Sequence, residues 1–298
     1  MSAVEAFERH RSRLFSIAYR MLGSASDAED VVQDAWVRYS TAAPADIRSP
    51  QGWLTTVVTR LCLDRLKSAR ATREQYVGPW LSEPVLTEEV ERPDAMLQRH
   101  ESVTLAFLVL LDTLTPEERA VFLLHDVFDY SHDEVAGMLD ISAAASRQVL
   151  HRAKERIAAG RPRFGGDPEA KRVLARRFVA AMSAGDPGAL ASLFADDVKF
   201  WADGGGKVAS ARRPLFGREA VVNLLLGFHR LVTAQRLGPA LSIEIVDVNF
   251  DPAVIVRIAG RLDSVYALTV EDDAIAALRV VRNPDKMAFI ERQLAARA

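Results

Sequence analysis

Cysteine is nearly absent: Cys62 is the single one among 298 residues. That excludes an internal disulfide framework and leaves no thiol pairs for a structural zinc site. Cys62 lies in an apolar helical run and reads as a core residue. Long apolar runs are missing as well, since no stretch reaches the roughly 18 residues of a membrane-crossing helix. The N-terminal MSAVEAFERHRSRLF is charged from Glu5 onward and lacks the apolar core of a signal peptide. A cytoplasmic protein without membrane insertion is expected. Excess charge of one sign is lacking too, with a formal net charge of -2. A protein coated in nucleic acid would be more basic, so DNA binding would have to rest on a local patch. Histidine is sparse, with six in the chain, and only His229 lies beyond residue 160. It sits in the apolar run LLLGFHRL without paired carboxylates or a metal-ligand cluster, which gives an acid–base enzyme little to work with.

What is present is a chain 49% hydrophobic, ample for two or three compact units. Residues 131–157, SHDEVAGMLDISAAASRQVLHRAKERI, predict two short helices joined by the turn Asp140-Ile141-Ser142. Val135, Ala136, Leu139, Ile141, Val149 and Ala153 pack them together, and the second helix carries Arg147, Gln148, His151, Arg152 and Lys154. This is a helix-turn-helix with a basic reading face. The local patch exists: from Arg147 to Arg163 only Glu155 opposes six Arg and Lys side chains.

Upstream, residues 3–21 have Phe7, Leu14, Ile17, Ala18 and Met21 at helical spacing, with Gly23 as a stop. Ser26 with Glu29 reads as a capping box for a second helix through Trp36 and Tyr39. Ser49 with Pro50 starts a third, ending in Lys67, Arg70 and Arg73. Residues 74–94 lose periodicity and collect prolines and acids, the composition of a mobile acidic connector. A helix from about Asp94 to Asp112 follows, then capping boxes at Thr115/Glu118 and Ser131/Glu134. After RPRFGGDP the text alternates in strand fashion at 198–200, 241–248, 254–258, 265–270 and 275–281. Helices are expected at 168–184, 187–194 and 217–232, so this part is α+β, with antiparallel strands closing a sheet over the helices. Asp203-Gly204-Gly205-Gly206-Lys207 reads as a hairpin turn.

AEDVVQDAWVRY at 28–39, WLTTVVTRLCLDRLKSAR at 53–70 and LTPEERAVFLLHDVFDYSHDEVAGML at 114–139 resemble the two characteristic regions of extracytoplasmic-function sigma factors, in the right order. The remainder resembles a SnoaL-like domain of the nuclear-transport-factor-2-like fold. WLSEP at 80–84, DGGGK at 203–207 and NPDKM at 283–287 resemble the sigma-J-like subgroup, with Ser82 where proline is usual and Met287 where leucine is common. The resemblance implies a multidomain chain: an all-α region 2 domain at 1–73, a linker at 74–94, an all-α region 4 domain at 95–160 and an α+β cone at 167–298.

It also implies roles. Asp30, Gln33, Asp34 and Trp36 would meet core RNA polymerase, with Trp36 as the anchor. Arg60, Asp64, Arg65, Lys67, Ser68, Arg70 and Arg73 would serve the −10 promoter element. Ser146, Arg147, Gln148, His151, Arg152 and Lys154 would serve the −35 element, Arg147 and Gln148 toward base edges and Arg152 and Lys154 toward phosphates. Val149 stands where many members carry a basic residue. Trp80, Leu81, Glu83 and Pro84, with Asp203 to Lys207 and with Asn283, Pro284, Asp285 and Lys286, would form an interdomain regulatory junction. Glu88, Glu89 and Glu91 would thread a basic polymerase channel. The partners are core polymerase, promoter DNA and a small-molecule effector in the cone; no cofactor is required. Two other readings remain open, a ligand-responsive helix-turn-helix repressor and a SnoaL-like isomerase or cyclase.

Overall fold

The computed structural model describes residues 2–42, 47–74, 76–87, 104–160, 167–234 and 240–297, without the side chains of 69–74 and 160. The chain divides into two compact units, residues 1–75 with 107–161, and residues 76–106 with 162–298. The two helical segments therefore form one unit, not two domains, and the connector belongs with the C-terminal unit.

In the helical unit, α1 (Ala3–Leu22), α2 (Ala25–Thr41) and α3 (Pro50–Glu74) form the first segment. Gly23, at φ 68°, ends α1. The cap of α2 differs from expectation: Ser24, not Ser26, accepts the Asp27 amide at 3.1 Å. With Gly23 left-handed, the next residue is the extended one, and an N-cap needs extended backbone. Leu14, Ile17, Met21, Leu54, Val58 and Cys62 are buried between these helices, and burial raises the thiol pKa of Cys62.

Of the helix expected from Asp94, the described part is α4 (Leu105–Leu111). Next come α5 (Pro116–Phe122), a π-helical turn (Leu123–Val127), α6 (His132–Leu139) and α7 (Ala143–Gly160). Thr115/Glu118 and Ser131/Glu134 form the capping boxes that the spacing predicts. The π turn was not anticipated. Val135, Ala136, Val149 and Ala153 are buried between α6 and α7, with Leu139 and Ile141 partly covered.

The C-terminal unit runs α8 (Pro168–Ala184), α9 (Pro187–Leu193), β1 (Phe194–Asp203), β2 (Leu215–Phe216), α10 (Arg218–Ala234), β3 (Leu241–Val248), β4 (Asp251–Ile258), β5 (Arg261–Glu271), β6 (Ala274–Val281) and α11 (Pro284–Ala295). The strand order is β2-β1-β6-β5-β4-β3. The sheet is mixed, because β1 and β6 are parallel while the other pairs are antiparallel. Strand alternation puts Phe200, Ala202, Val254, Val256, Tyr266, Leu268, Leu278 and Val280 on the face that packs against Phe178 of α8 and Val221 and Leu225 of α10.

DGGGK is not a tight hairpin. It opens an eleven-residue loop between β1 and the short β2, whose register pairs Phe200 with Leu215. The NPDK segment starts α11, which the strand-like text before it concealed. Asn283 caps it through the Asp285 amide, with Pro284 in the first turn. The glycines are needed for a close approach: Gly205 has φ 60°, and a Cβ there would sit 2.3 Å from Asn283 Nδ2. Gly205→Ala should therefore destabilise the C-terminal unit by about 2 kcal/mol. Its melting transition should fall by about 4–8 °C, whereas Gly227→Ala in α10, with open space around it, should leave the transition unchanged or raise it.

Candidate functional site

Three of the four residues expected to meet polymerase share one place. Asp30, Gln33 and Trp36 line a groove of about 450 Å3 between α1 and α2, with Val4, Phe7, Glu8 and Arg11 opposite. Trp36 is half-buried, its ring centroid 5.0 Å from that of Phe7. An indole fixed at the edge of an apolar groove is preorganised as an anchor. Asp34 turns away toward α3, where Arg65 sits among three carboxylates: Asp27 at 3.2 Å, Asp30 at 3.6 Å and Asp34 at 3.4 Å. Arg65, expected at the −10 element, is thus engaged by α2.

Of the other −10 residues, Asp64, Lys67 and Ser68 are exposed along α3, and Ser68 donates to the Arg65 carbonyl at 2.9 Å. The side chains of Arg70 and Arg73 lie outside the described residues. Arg60 donates from Nε to the carbonyl of Met138 in α6 at 3.0 Å. That bond joins the −10 helix to the helix-turn-helix.

On α7, Arg147, Gln148, His151, Arg152 and Lys154 are exposed. Lys154 pairs with Asp126 at 2.9 Å, and His151 lies 3.5 Å from Glu155. Ser146 departs from expectation: it is fully buried, with Oγ 2.9 Å from Nδ1 of His132, so it faces the protein rather than a groove of DNA. Val149 is 4% exposed. A core position explains the absence of charge there.

The two helical segments are fastened by more than Arg60. The hydroxyls of Thr55 and Tyr130 lie 3.0 Å apart in a buried setting. Arg13 donates to the Phe128 carbonyl at 2.9 Å, its guanidinium 5.3 Å and 5.4 Å from the Phe128 and Tyr130 ring centroids. Arg119 donates to the Met21 carbonyl at 2.7 Å and pairs with Asp112. Arg20 lies over Phe128, and burial lowers its pKa to about 10. Cations on aromatic faces are strongest where water is excluded.

In the C-terminal unit the three subgroup motifs converge on one carboxylate. Asp203, fully buried at the end of β1, accepts from the Leu81 amide at 2.9 Å, the Gly205 amide at 3.1 Å, Lys286 Nζ at 2.6 Å and the Tyr76 hydroxyl. Lys286, 4% exposed, also donates to the Leu81 carbonyl at 2.6 Å, and its ammonium lies over the rings of Trp80 and Tyr76. Asn283 donates to the Tyr76 hydroxyl at 2.9 Å. Burial, then donation to the Asp203 carboxylate, pushes the Tyr76 pKa well above its ordinary value. Lys207 and Asp285 pair at the rim, both exposed.

Leu81, Ser82, Glu83 and Pro84 are buried. The chain then runs beside β3. Val85 and Asn249 exchange two hydrogen bonds, the Leu86 amide donates to Gln293 Oε1 at 2.8 Å, and Leu86 bridges to Val248. Residues 76–87 are therefore a docked strap, not the mobile tether that their composition suggested. Glu88, Glu89, Glu91 and Asp94 lie outside the described residues. Tyr76, Asn249 and Gln293 were not foreseen; only the position of Tyr76, four residues before Trp80, hinted at a shared aromatic face.

His229 is a structural residue in this arrangement, with Nδ1 3.0 Å from the Met182 carbonyl and its ring against Gly185. Among the described residues no helix is long and apolar enough to cross a membrane.

The two helical segments coincide with two sequence families. Residues 6–72 match the Sigma-70 region 2 family and residues 104–157 the Sigma-70 region 4 family. The chain belongs to the ECF RNA polymerase sigma factors. It is similar over its length to the ECF RNA polymerase sigma factor SigJ of Mycobacterium tuberculosis, 39% identical over 294 residues, 95% of this chain and 92% of the relative. The crystal structure of that SigJ agrees with a TM-score of 0.75 at 37% identity, covering 96% of this chain and 98% of the other. The probable sigma factor SigI of the same organism is 31% identical over 300 residues, 97% of this chain and 96% of the relative.

Removing one partner of a buried ion pair leaves a desolvated charge, which costs about 3–5 kcal/mol. Asp203→Ala should lower the unfolding free energy of the C-terminal unit by that amount in a urea titration. Adding Lys286→Met should restore part of it, because the stranded ammonium is gone.

Proposed function

We propose that the chain binds core RNA polymerase and directs initiation at two-part promoters, and that its C-terminal domain restrains this by holding the connector. The observation that carries the restraint is the buried Asp203–Lys286 clasp on Tyr76, Trp80 and Leu81. These residues lie in the chain joining the −10 and −35 modules. The elements themselves are about 25 base pairs apart, about 85 Å of duplex at 3.4 Å per step. In the helical unit, Arg60 of the −10 helix is 3.0 Å from a carbonyl of α6. That closed unit reads one element at most, so productive binding requires it to open. Chain reaches at most about 3.5 Å per residue, so pinning residues 76–87 shortens the tether available for opening.

A small molecule that binds the C-terminal unit acts on this balance only through unequal affinity for the strapped and released states. The acidic residues Glu88, Glu89 and Glu91 follow directly and are suited to a basic polymerase channel once the strap is free. A repressor reading leaves the region 2 match at residues 6–72 without a role.

Transcription from fragmented host DNA with purified core polymerase tests the proposal. The full chain should give defined RNA 5′ ends below a shared two-part promoter, and Asp203→Asn should raise their yield. Absence of chain-dependent starts overturns the sigma reading; starts whose yield Asp203→Asn leaves unchanged or lowers overturn the restraint. A truncation at Gly160 is a poorer probe, because it strips the cover from Leu81 and Leu86. Arg147→Ala should cost about 1–3 kcal/mol at the cognate promoter and relax its −35 preference, measured by comparing promoters that differ only in that element.

A further inference from the structure

Two histidines lie behind the recognition helix. The π turn adds a residue to the helix that begins as α5 and carries His125 round to stack on His132, ring centroids 4.1 Å apart and planes 16° from parallel. π turns of this kind are rare and cluster at functional positions. Each ring is tied at Nδ1, His125 to the Tyr130 carbonyl at 2.8 Å and His132 to Ser146 Oγ at 2.9 Å. Ser146 is 0% exposed and lies in the first turn of α7, its amide bonded to the Ser142 carbonyl at 2.9 Å. The next two residues, Arg147 and Gln148, face outward.

We propose that His132 is a positioning residue for −35 recognition: through Ser146 it fixes the first turn of α7, and so sets where Arg147 and Gln148 meet base edges. This rests on the sigma-factor reading. The contact is selective because a buried hydroxyl without a partner is costly. Without His132, the turn that holds Ser146 gains by shifting until that hydroxyl is satisfied. Base readout is bidentate and geometric, so a small shift of the first turn changes which edge is read.

The same geometry makes the contact sensitive to mild acid. His132 is faced by His125 and Asp126 from the π turn, by Arg147 from α7 and by Asp133 from its own helix. Asp126 lies 4.0 Å from Nε2 of His125 and is also paired with Lys154, so its charge is shared between the stack and that ammonium. Burial first, then His125 and Arg147, hold the His132 pKa below its ordinary 6.5. A histidine that takes its proton less readily when folded contributes nothing to the pH dependence of stability well above that value. As pH falls through it, the unfolded chain gains a proton that the stacked arrangement resists, so the arrangement weakens.

The test uses the full chain with core polymerase on two promoters that differ only in the −35 element. The readout is the ratio of their transcript yields, in which the polymerase's own pH response cancels. His132→Ala should lower the ratio by about tenfold, the loss of one base-reading contact. His132→Asn, whose amide replaces Nδ1, should keep the ratio within about twofold of wild type. Between pH 7.5 and 5.5 the wild-type ratio should fall while that of His132→Asn stays level. A wild-type ratio in His132→Ala overturns the proposal, as does a wild-type ratio that is flat with pH, which also decides the case if His132→Ala does not fold. A wild-type chain that gives no starts with core polymerase overturns the sigma reading, and this proposal with it.

Discussion

The C-terminal unit is organised around one ionised carboxylate removed from water. Asp203 sits where desolvation alone would disfavour its charge, and it is held by two backbone amides, a phenol and an ammonium, which together replace hydration. The four donors come from three stretches of chain: Tyr76 and Leu81 from the connector, Gly205 from the glycine loop and Lys286 from the first turn of α11. The donors therefore cannot be satisfied separately. Gly205 is bare because Asn283 needs the space, and Asn283 caps the helix that carries Lys286. A buried polar set of this kind contributes less to net stability than to uniqueness of arrangement. Here the arrangement it specifies is that of the connector.

The helical unit has a different logic. Its two segments meet through arginines on aromatic faces and through single hydrogen bonds to backbone carbonyls. Such contacts are geometrically selective and individually modest. An interface of that composition suits segments that have to part when polymerase and promoter offer better partners. The residues proposed to meet those partners are divided accordingly: the groove beside Trp36 and the outer face of α7 are open, while Arg60 and Arg65 are occupied within the protein.

Much of this was legible in the text of the chain where the cause is local. Capping boxes at Thr115 and Ser131, the stop at Gly23 and the two-helix pattern of residues 131–157 depend on neighbours within four residues, and they appear where spacing places them. Failures came where the cause is distant. Residues 76–87 read as a tether because prolines, glycine and acids say nothing of a carboxylate 122 residues further along. Ser146 was expected at the DNA because the resemblance places it on the reading helix, yet it lies three residues before Val149 and seven before Ala153 on the inward-packing face, where its hydroxyl meets His132, 14 residues earlier. The helix at 284–295 carried its own signal, Asn-Pro-Asp, which a strand-rich context masked. Trp80 and Lys286 belong to separate motifs, and nothing in their spacing showed that the ammonium would lie over the indole ring.

The three carboxylates around Arg65 bear on how binding would respond to salt. A cation that meets a DNA phosphate from free solution releases condensed counterions, and each such contact steepens the fall of affinity with ionic strength. Arg65 begins with its charge already answered by Asp27, Asp30 and Asp34, so in the −10 role proposed for it a transfer to phosphate would exchange one set of anions for another. Added salt screens the pairing it leaves as well as the one it makes. The number of phosphates inferred from a salt titration of this protein would therefore fall short of the number of cations at its DNA face.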